Sequence, residues 1–249
     1  MEPAERARRA GSFAGVAREY DRGRPGYPRQ AIDWILGRRP LEVLDIGAGT
    51  GKLTDAILAA GHHAVAVEPL AEMREILHAR HPGLKLIDAT AERLPLGDGS
   101  LDAVLVGAAF HWFEQDRALS EIARVLRAPG VLGLLGNSFA TDRPWAAQLR
   151  EILGRAPHTR PGHWPDPDRL KRIFATVEEA EFPHRQEMTL KQVRDYASSR
   201  SSFAVLGEDE RDERLAAIDR LWERTPELSQ GPRIEMRWVT RVMCARGLI

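Results

Sequence analysis

The 249-residue sequence predicts an α/β fold: a doubly wound, seven-stranded sheet, mostly parallel, with an antiparallel edge strand and helical cap elements. Two observations lead to this prediction. Short, continuously apolar segments alternate with amphipathic segments of about ten to fifteen residues, a pattern typical of βαβ units and a parallel sheet. Near the end of the chain, two strand-like segments flank a helical stretch, which indicates an antiparallel edge carrying a cap.

The N-terminal part of the chain is predicted to be helical, because Phe13, Ala17 and Tyr20 fall on one helical face until Pro25. The regular alternation follows. Strands are predicted over 41–46, 63–68, 84–88, 101–107 and 131–137, each predominantly apolar rather than alternating, as expected for strands buried on both faces. Helices are predicted over 31–38, 51–61, 70–81 and 115–130, with glycine or proline as stop signals after the last three.

After Ser138 the pattern is less regular. Helices are predicted over 144–154, 168–175 and most of 191–224. Strands are predicted over 183–190 and 235–245, on either side of that last helical stretch. These two strands complete the predicted sheet and supply its antiparallel edge.

The composition indicates a globular protein without a preference for nucleic acid. Lys+Arg and Asp+Glu are both 36, so the formal net charge is zero, whereas nucleic-acid binders usually carry a basic excess or stripe. The basic run from Arg6 to Gly11 is too short to count as either. We interpret it as a solvated terminus, with a basic arm as the alternative.

Cys244 is the single cysteine, so no intrachain disulfide can form and a reducing compartment such as the cytoplasm is expected. Its apolar neighbours predict a small core residue. No apolar segment reaches the roughly 20 residues that a membrane-spanning helix needs. The charged N-terminus lacks the apolar region of a secretory signal. The sequence leaves open whether the protein is a monomer or a homodimer.

The segment VLDIGAGTGKL, Val43–Leu53, places three glycines between a strand and a helix. Such a turn lets the backbone approach a ligand closely. A phosphate-binding P-loop requires a glycine where Ile46 stands and a hydroxyl side chain where Leu53 stands. A dinucleotide fingerprint requires its third glycine at Lys52. The P-loop interpretation therefore fails twice and the dinucleotide interpretation once.

The run Asp45-Ile46-Gly47-Ala48-Gly49-Thr50-Gly51 resembles the first motif of the class I S-adenosylmethionine-dependent methyltransferases. Further segments of that family follow in order: Glu68 after the second strand, ATAERLP (89–95), AFHWF (109–113) and EIARVLRAPGVLGLL (121–135). The resemblance covers about 41–136. It implies a Rossmann-like fold, S-adenosylmethionine as cofactor and S-adenosylhomocysteine as product.

The run Y-D-x-x-R-P-x-Y-P, Tyr20–Pro28, together with AFHWF, is similar to the type 11 small-molecule methyltransferases of the trans-aconitate and ubiquinone/menaquinone kind. The resemblance implies one methyltransferase domain over 1–249. Within it, residues 1–40 would form a helical cap over the cofactor and 41–137 the cofactor-binding core. Residues 138–249 would form a C-terminal half with a helical substrate cap over about 191–232.

The resemblance also implies roles for individual residues. Glu68 would accept the ribose hydroxyls, Asp45 would lie near the amino group, and Thr90 and Ala91 would lie beside the adenine. The implied cofactor-binding set is Tyr20, Arg24, Asp45, Gly47, Ala48, Gly49, Glu68, Pro69, Thr90, Ala91, Glu92, Ala108 and His111. In this set Tyr20 would face the cofactor and Arg24 would approach a carboxylate. As the alternative, Tyr20 and Arg24 anchor the N-terminal helix and Glu92 caps a turn.

His111 is the candidate catalytic residue, because it follows the fourth strand and histidine suits proton removal near neutral pH. The alternative is a packing role shared with Trp112 and Phe113. The remaining histidines show no metal-ligand spacing, so no metal site is predicted: His62, His63, His78, His81, His158, His163 and His184.

The predicted function is methyl transfer to a small-molecule acceptor by direct in-line displacement. The N/D-P-P-Y motif of methyltransferases that act on bases and amides is absent, since GAAFHW stands after the fourth strand. A carboxylate acceptor would need no base, and Arg194, Arg200 and Arg237 would then bind it. The alternatives are a non-catalytic cofactor-binding sensor module and an NAD(P)-dependent oxidoreductase.

Overall fold

The computed structural model describes residues 11–154 and 164–249. Most of the basic run Arg6–Gly11, and both His158 and His163, lie outside the described residues. The chain divides into two compact units. The first comprises the described residues of Met1–Pro25, Ser138–Pro157 and Pro183–Val239, and the second those of Gly26–Asn137, His158–Phe182 and Thr240–Ile249.

The strands form one seven-stranded sheet in the order β3-β2-β1-β4-β5-β7-β6, mostly parallel with an antiparallel edge pair, which confirms the predicted fold class. The strands are β1 Glu42–Ile46, β2 His63–Val67, β3 Lys85–Ile87, β4 Leu101–Gly107, β5 Leu126–Phe139, β6 Phe174–Met188 and β7 Ile234–Leu248.

The α-helices alternate with the first strands and predominate later in the chain. They are Ala17–Gly23, Arg29–Leu36, Lys52–Ala59, Ala71–Arg80, Gln115–Val125, Pro144–Leu153, Pro167–Leu170, Leu190–Ser198, Ser201–Ala204, Glu208–Arg224 and Pro226–Ser229. Short 3₁₀ helices cover Ala14–Val16 and Phe110–Trp112.

The centre of the second unit is the pair of parallel strands β1 and β4. Leu44 is paired with Val65 on one side and Val104 on the other, and both Leu44 and Val104 are fully buried. Burial on both faces explains why these strands are continuously apolar. Cys244 is also fully buried in this unit, as predicted for a small core residue.

Two predicted helices end earlier than expected. The helix predicted over 115–130 ends at Val125, because Leu126 already pairs with Leu101 of β4. Pro129 has no amide hydrogen to continue a helix. The helix predicted over 168–175 is the short Pro167–Leu170, because β6 begins at Phe174.

Strand β6 was predicted over 183–190 but begins at Phe174. Most of its residues are exposed, and its first half carries Glu178, Glu179 and Glu181. Charged side chains and a proline such as Pro183 are characteristic of edge strands, where they discourage pairing with another chain. The same charges give the segment no apolar pattern from which to predict a strand.

In the first unit, the helix Ala17–Gly23 packs closely against the helix Leu190–Ser198. A Cβ atom at Gly23 would lie only 2.2 Å from the backbone nitrogen of Tyr196. Arg22 Nε donates a hydrogen bond to Asp195 Oδ2 at 2.8 Å beside this contact. Glycine at residue 23 therefore allows the two backbones to approach each other.

We expect Gly23→Ala to lower the free energy of unfolding by about 1–3 kcal/mol, because the added methyl group collides with backbone that cannot move aside. Denaturant titration followed by circular dichroism measures the change.

Gly15→Ala is the matched control. No atom lies within 4 Å of a Cβ built at Gly15, so its effect should stay within about 0.5 kcal/mol. Equal effects of the two substitutions would contradict the close helix contact.

Candidate cofactor site

The candidate site lies in the second unit at the carboxyl ends of β1, β2 and β4. The order of the strands reverses between β1 and β4, since β2 and β3 lie on one side of β1 and β5 lies beyond β4. Ligands of open α/β sheets bind in the crevice at such a reversal. The chain segments that meet there are the glycine loop (47–51), Glu68 and the post-β4 segment (108–113).

The backbone conformation of the glycine loop explains why glycine stands at three of its positions. Gly47, Gly49 and Gly51 have φ angles of +68°, +57° and +95°, in the left-handed region that favours glycine. The amides of Gly47 and Ala48 donate to the Val67 carbonyl at 2.8 and 3.1 Å, which ties the loop to the end of β2. The glycines thus permit a turn whose backbone is held against the neighbouring strand.

Gly47 also packs against the post-β4 segment. A Cβ atom at residue 47 would lie 2.7 Å from Cβ of Ala109 and 3.6 Å from the Phe113 ring. Two segments that the sequence singled out separately therefore meet in the fold. Ala108 has φ +54°, the only positive φ of a non-glycine residue in the described chain. Strained residues of this kind cluster at ligand sites.

Glu68 connects the loops that follow β1 and β2. Its Oε2 accepts a hydrogen bond from the Gly49 amide at 2.8 Å, and its Oε1 accepts one from the Leu70 amide at 2.9 Å. The residue is 5% exposed. Burial raises the pKa of this carboxyl group, and the two amide hydrogen bonds oppose that rise. Each carboxylate oxygen retains capacity for another hydrogen bond.

Asp45 is fully buried at the end of β1. Its Oδ2 accepts a hydrogen bond from Thr54 Oγ1 at 2.6 Å, whereas its Oδ1 has no partner among the described residues. Burial raises the pKa of Asp45 to about 7, and the negative charge of Glu68 contributes to the rise. A buried carboxyl oxygen without a partner needs an explanation, and contact with a ligand is one.

The loop after β3 contains Thr90, Ala91 and Glu92. Thr90 is exposed and Ala91 is buried. Oε1 of Glu92 accepts a hydrogen bond from the Glu114 amide at 2.7 Å. This contact ties the loop to the start of the helix Gln115–Val125, so Glu92 has a clear structural role.

His111 lies in the 3₁₀ helix that follows β4 and is half-buried. Its ring centroid lies 4.3 Å from that of Trp112. On the same segment, Phe110 and Phe113 are buried with centroids 5.6 Å apart. The two phenylalanines supply the packing part of the motif, while His111 keeps some exposed surface.

Tyr20 and Arg24 belong to the first unit, unlike the other predicted site residues. Arg24 Cζ lies 4.9 Å from the centroid of the Tyr20 ring. Arg24 donates from Nε to Ser199 Oγ at 2.9 Å and from Nη2 to Ser199 O at 2.7 Å. These contacts are those expected of residues that anchor the N-terminal helix.

Several residues that hold the site were not predicted. Arg74 donates to the Glu68 carbonyl and to Asp88 Oδ2, at 2.9 and 2.8 Å, and Arg80 donates to the Thr50 carbonyl at 2.7 Å. Asp88, an acidic residue at the end of a predicted strand, carried a signal that could have found it. Arg74 and Arg80 are ordinary exposed-type residues of an amphipathic helix, so no pattern distinguishes them.

Across residues 11–154 and 164–249, no group of three or more His, Cys, Asp and Glu side chains could hold a metal ion. Over the same ranges no helix has the length and apolar character to cross a membrane.

The buried carboxyl group of Asp45 predicts a pH dependence of stability. The folded protein keeps a proton on Asp45 up to about pH 7, whereas the unfolded chain releases it near the ordinary value of 3.8. The contribution of this proton to the free energy of unfolding is complete below about pH 4. It is lost as the pH rises to about 7, and the loss is roughly 4 kcal/mol at most. Asp45→Asn, which has no such proton, should lose less free energy of unfolding across this range.

Urea titrations of the ligand-free protein between pH 5 and 8 measure the two slopes. Asp209→Asn is the control, because that carboxylate is exposed and its replacement should leave the slope unchanged. Identical slopes for wild type and Asp45→Asn would contradict the prediction.

Comparison with known proteins agrees with this geometry. Residues 44–134 match the methyltransferase domain family. An uncharacterized methyltransferase of Mycobacterium bovis is 38% identical over 240 residues, which cover 96% of each chain. An uncharacterized methyltransferase-like protein of Schizosaccharomyces pombe is 30% identical over 92% of this chain and 93% of its own length. A malonyl-(acyl-carrier protein) O-methyltransferase of Methylococcus capsulatus is 41% identical over 112 residues, 43% of this chain and 41% of its own.

Solved structures share the fold. A protein of Anaeromyxobacter dehalogenans assigned as a type II methyltransferase aligns with a TM-score of 0.64 and 23% identity, over 90% of this chain and 97% of its own. A methyltransferase assigned to an antibiotic biosynthesis pathway of Anabaena variabilis aligns with a TM-score of 0.60 and 23% identity, over 85% and 95%. Because relatives up to 38% identical extend over nearly the whole chain, this protein belongs to the class I S-adenosylmethionine-dependent methyltransferases.

Proposed function

We propose that this protein transfers a methyl group from S-adenosylmethionine to an oxygen atom of a small molecule, with a carboxylate as the acceptor group. The observation that carries the proposal is Glu68, whose carboxylate is fixed between the amides of Gly49 and Leu70 where the strand order reverses. A carboxylate held there has lone pairs for both hydroxyls of a ribose.

The residues around Glu68 fit the remainder of this cofactor. Gly47 and Gly49 present backbone without side chains, so a ligand can approach closely. Oδ1 of Asp45 has no partner among the described residues and suits the amino group of the methionine portion, whose positive charge would favour the ionised carboxylate over the protonated one. By resemblance, Thr90 and Ala91 are assigned to the adenine side, and further cofactor contacts are assigned to Tyr20, Ala48, Pro69, Glu92, Ala108 and His111.

The bound cofactor supplies a methyl group already activated on a sulfonium. The protein residues orient it and exclude water, and such positioning lowers a barrier by up to about 7–11 kcal/mol in ideal intramolecular cases. Direct in-line displacement needs no enzyme nucleophile. This agrees with a lone cysteine that is fully buried and whose pKa burial raises to about 11.

The acceptor decides what His111 does. A hydroxyl acceptor would lose its proton during transfer, and His111 is then the candidate base. A carboxylate is already ionised near pH 7, so His111 would only line the acceptor side.

Of the three arginines predicted to bind a carboxylate, Arg200 alone supports that prediction. Arg194 forms an ion pair with Asp219, and Arg237 forms one with Asp142 at 2.8 Å. Their charges are therefore compensated by the protein, which removes them from the prediction. Arg200 has no such partner among the described residues. The relative from Methylococcus capsulatus, named as an O-methyltransferase, agrees with an oxygen acceptor.

We expect Glu68→Gln to weaken binding of S-adenosylhomocysteine by about 10- to 100-fold, because a charged acceptor of hydrogen bonds contributes about 1.5–3 kcal/mol. Isothermal titration calorimetry measures the dissociation constant.

Glu72→Gln is the control, since Glu72 is exposed in the following helix and should bind like wild type. NAD is titrated as the competing ligand. Tight NAD binding without heat from S-adenosylhomocysteine would overturn the proposed function in favour of an oxidoreductase.

We expect His111→Asn to retain more than a tenth of wild-type kcat with a carboxylic acid substrate and a flat pH profile above pH 6, because no proton is transferred. A panel of carboxylic acids, alcohols and phenols, assayed for release of S-adenosylhomocysteine, supplies the substrate. A wild-type turnover that appears only with phenols or alcohols and is lost in His111→Asn would assign the base role to His111.

A further inference from the structure

Arg200 is a buried guanidinium without a carboxylate partner. It is 4% exposed, and it is the only arginine that is this buried in the described chain. Nη1 donates to the Tyr196 hydroxyl at 3.2 Å and Nη2 to the Gly154 carbonyl at 3.3 Å, while Nε has no acceptor within residues 11–154 and 164–249. A buried cation without a counterion is costly, because neutral groups compensate only part of its lost hydration.

A second guanidinium lies against the same aromatic ring. Cζ of Arg24 is 5.5 Å from the Tyr196 centroid, and Cζ of Arg200 is 5.8 Å from it. Arg24 also contacts only neutral partners among the described residues, through Ser199 and Tyr20. The guanidinium groups of Arg24 and Arg200 therefore both pack against the ring of Tyr196.

Neighbouring carboxylates do not compensate these charges. Asp195, the residue before Tyr196, is bound by Arg22 at 2.8 Å and by Lys191 at 3.1 Å. Asp219 is bound by Arg194. The acidic groups of this part of the first unit are thus already paired with other cations.

Trp238 adds another donor without an acceptor. Its ring centroid lies 5.2 Å from that of Tyr196, it is 1% exposed, and its Nε1 has no hydrogen-bond partner among the described residues. Buried indole N–H groups normally find an acceptor. Around Tyr196, hydrogen-bond donors and positive charge both exceed what the described protein groups can satisfy.

We infer that Arg200, Arg24 and Trp238 form a carboxylate-binding site around Tyr196. Two uncompensated cations select an anion, and the free Arg200 Nε and Trp238 Nε1 supply N–H groups for its oxygens. The aromatic walls from Tyr196 and Phe139 favour a small organic acid over an inorganic ion. The ligand is the acidic methyl acceptor, an assignment that rests on the proposed function.

A purely structural role for Arg200 makes a different prediction. Its bond to the Gly154 carbonyl satisfies an acceptor just beyond the helix Pro144–Leu153. Loss of that bond alone would lower the melting temperature without changing the affinity for anions.

The test is calorimetric titration of the full-length protein with succinate and with benzoate, each paired with its neutral amide. Arg200→Gln should bind both acids at least tenfold more weakly than wild type. Arg246→Gln is the matched control, because Arg246 also lies over an aromatic ring, 5.5 Å from the Trp34 centroid, and donates to backbone carbonyls but contacts none of the residues of the proposed site. It should bind the acids like wild type. Trp238→Phe should weaken binding less than Arg200→Gln.

Unchanged acid binding in Arg200→Gln, or wild-type binding of the amides as tightly as the acids, overturns the inference. If Arg200→Gln does not fold, Arg200→Lys replaces it, because a lysine keeps the charge but loses the N–H group of Nε. Arg200→Lys should bind both acids more weakly than wild type does, but still more tightly than it binds their neutral amides.

S-adenosylhomocysteine titrated into the same samples separates this inference from the proposed function. Arg200→Gln should bind it like wild type. A loss of S-adenosylhomocysteine affinity with acid binding intact would place the guanidinium at the cofactor's own carboxylate and overturn the assignment. Acid binding through Arg200 in a protein that binds no S-adenosylhomocysteine would refute the methyltransferase proposal and leave the anion site standing.

Discussion

The hydrogen bond from the Gly49 amide to Glu68 Oε2, 2.8 Å long, holds together the two loops on which the site depends. Parallel neighbours such as β1 and β2 end at the same edge of a sheet, so their loops meet there by topology. The glycines let the first loop turn back sharply, and burial places the carboxylate where few waters can compete. A ligand therefore meets an acceptor that is already oriented, and little ordering is needed on binding.

The fold was predictable in segments where a single requirement, such as burial on both faces of a strand, determines the residue types. β1 and β4 are buried on both faces, so their sequences are predominantly apolar and easy to recognise. Strand β6 lies at the exposed edge of the sheet, where charged side chains are favoured. Its glutamates leave no apolar pattern from which a strand could be predicted. The end of the helix Gln115–Val125 was missed because Leu126 suits a helix and a strand equally. Its pairing with Leu101, distant in sequence, decides the outcome.

The same distinction applies to the site. Gly47, Gly49 and Glu68 stand at positions where backbone geometry and strand ends restrict the residue type, so local sequence points to them. Thr54 and Arg74 act through contacts with Asp45 and Glu68 that only the folded chain creates. Residue type alone also could not rank the arginines. Arg194 and Arg200 are close in sequence, yet one is paired with Asp219 and the other is buried without a carboxylate.

The hydrogen bonds of Arg200 also bear on the reactivity of a carboxylate bound to it. The Nη atoms of Arg200 each donate one hydrogen bond, to Tyr196 and to Gly154, which leaves the Nε N–H and one N–H on each Nη for a ligand. A carboxylate that accepts two of these N–H groups in a fork keeps a lone pair on each oxygen, because each oxygen has two. Nucleophilic attack needs such a lone pair. The contacts of Arg200 thus suit an acid that has to react as well as bind.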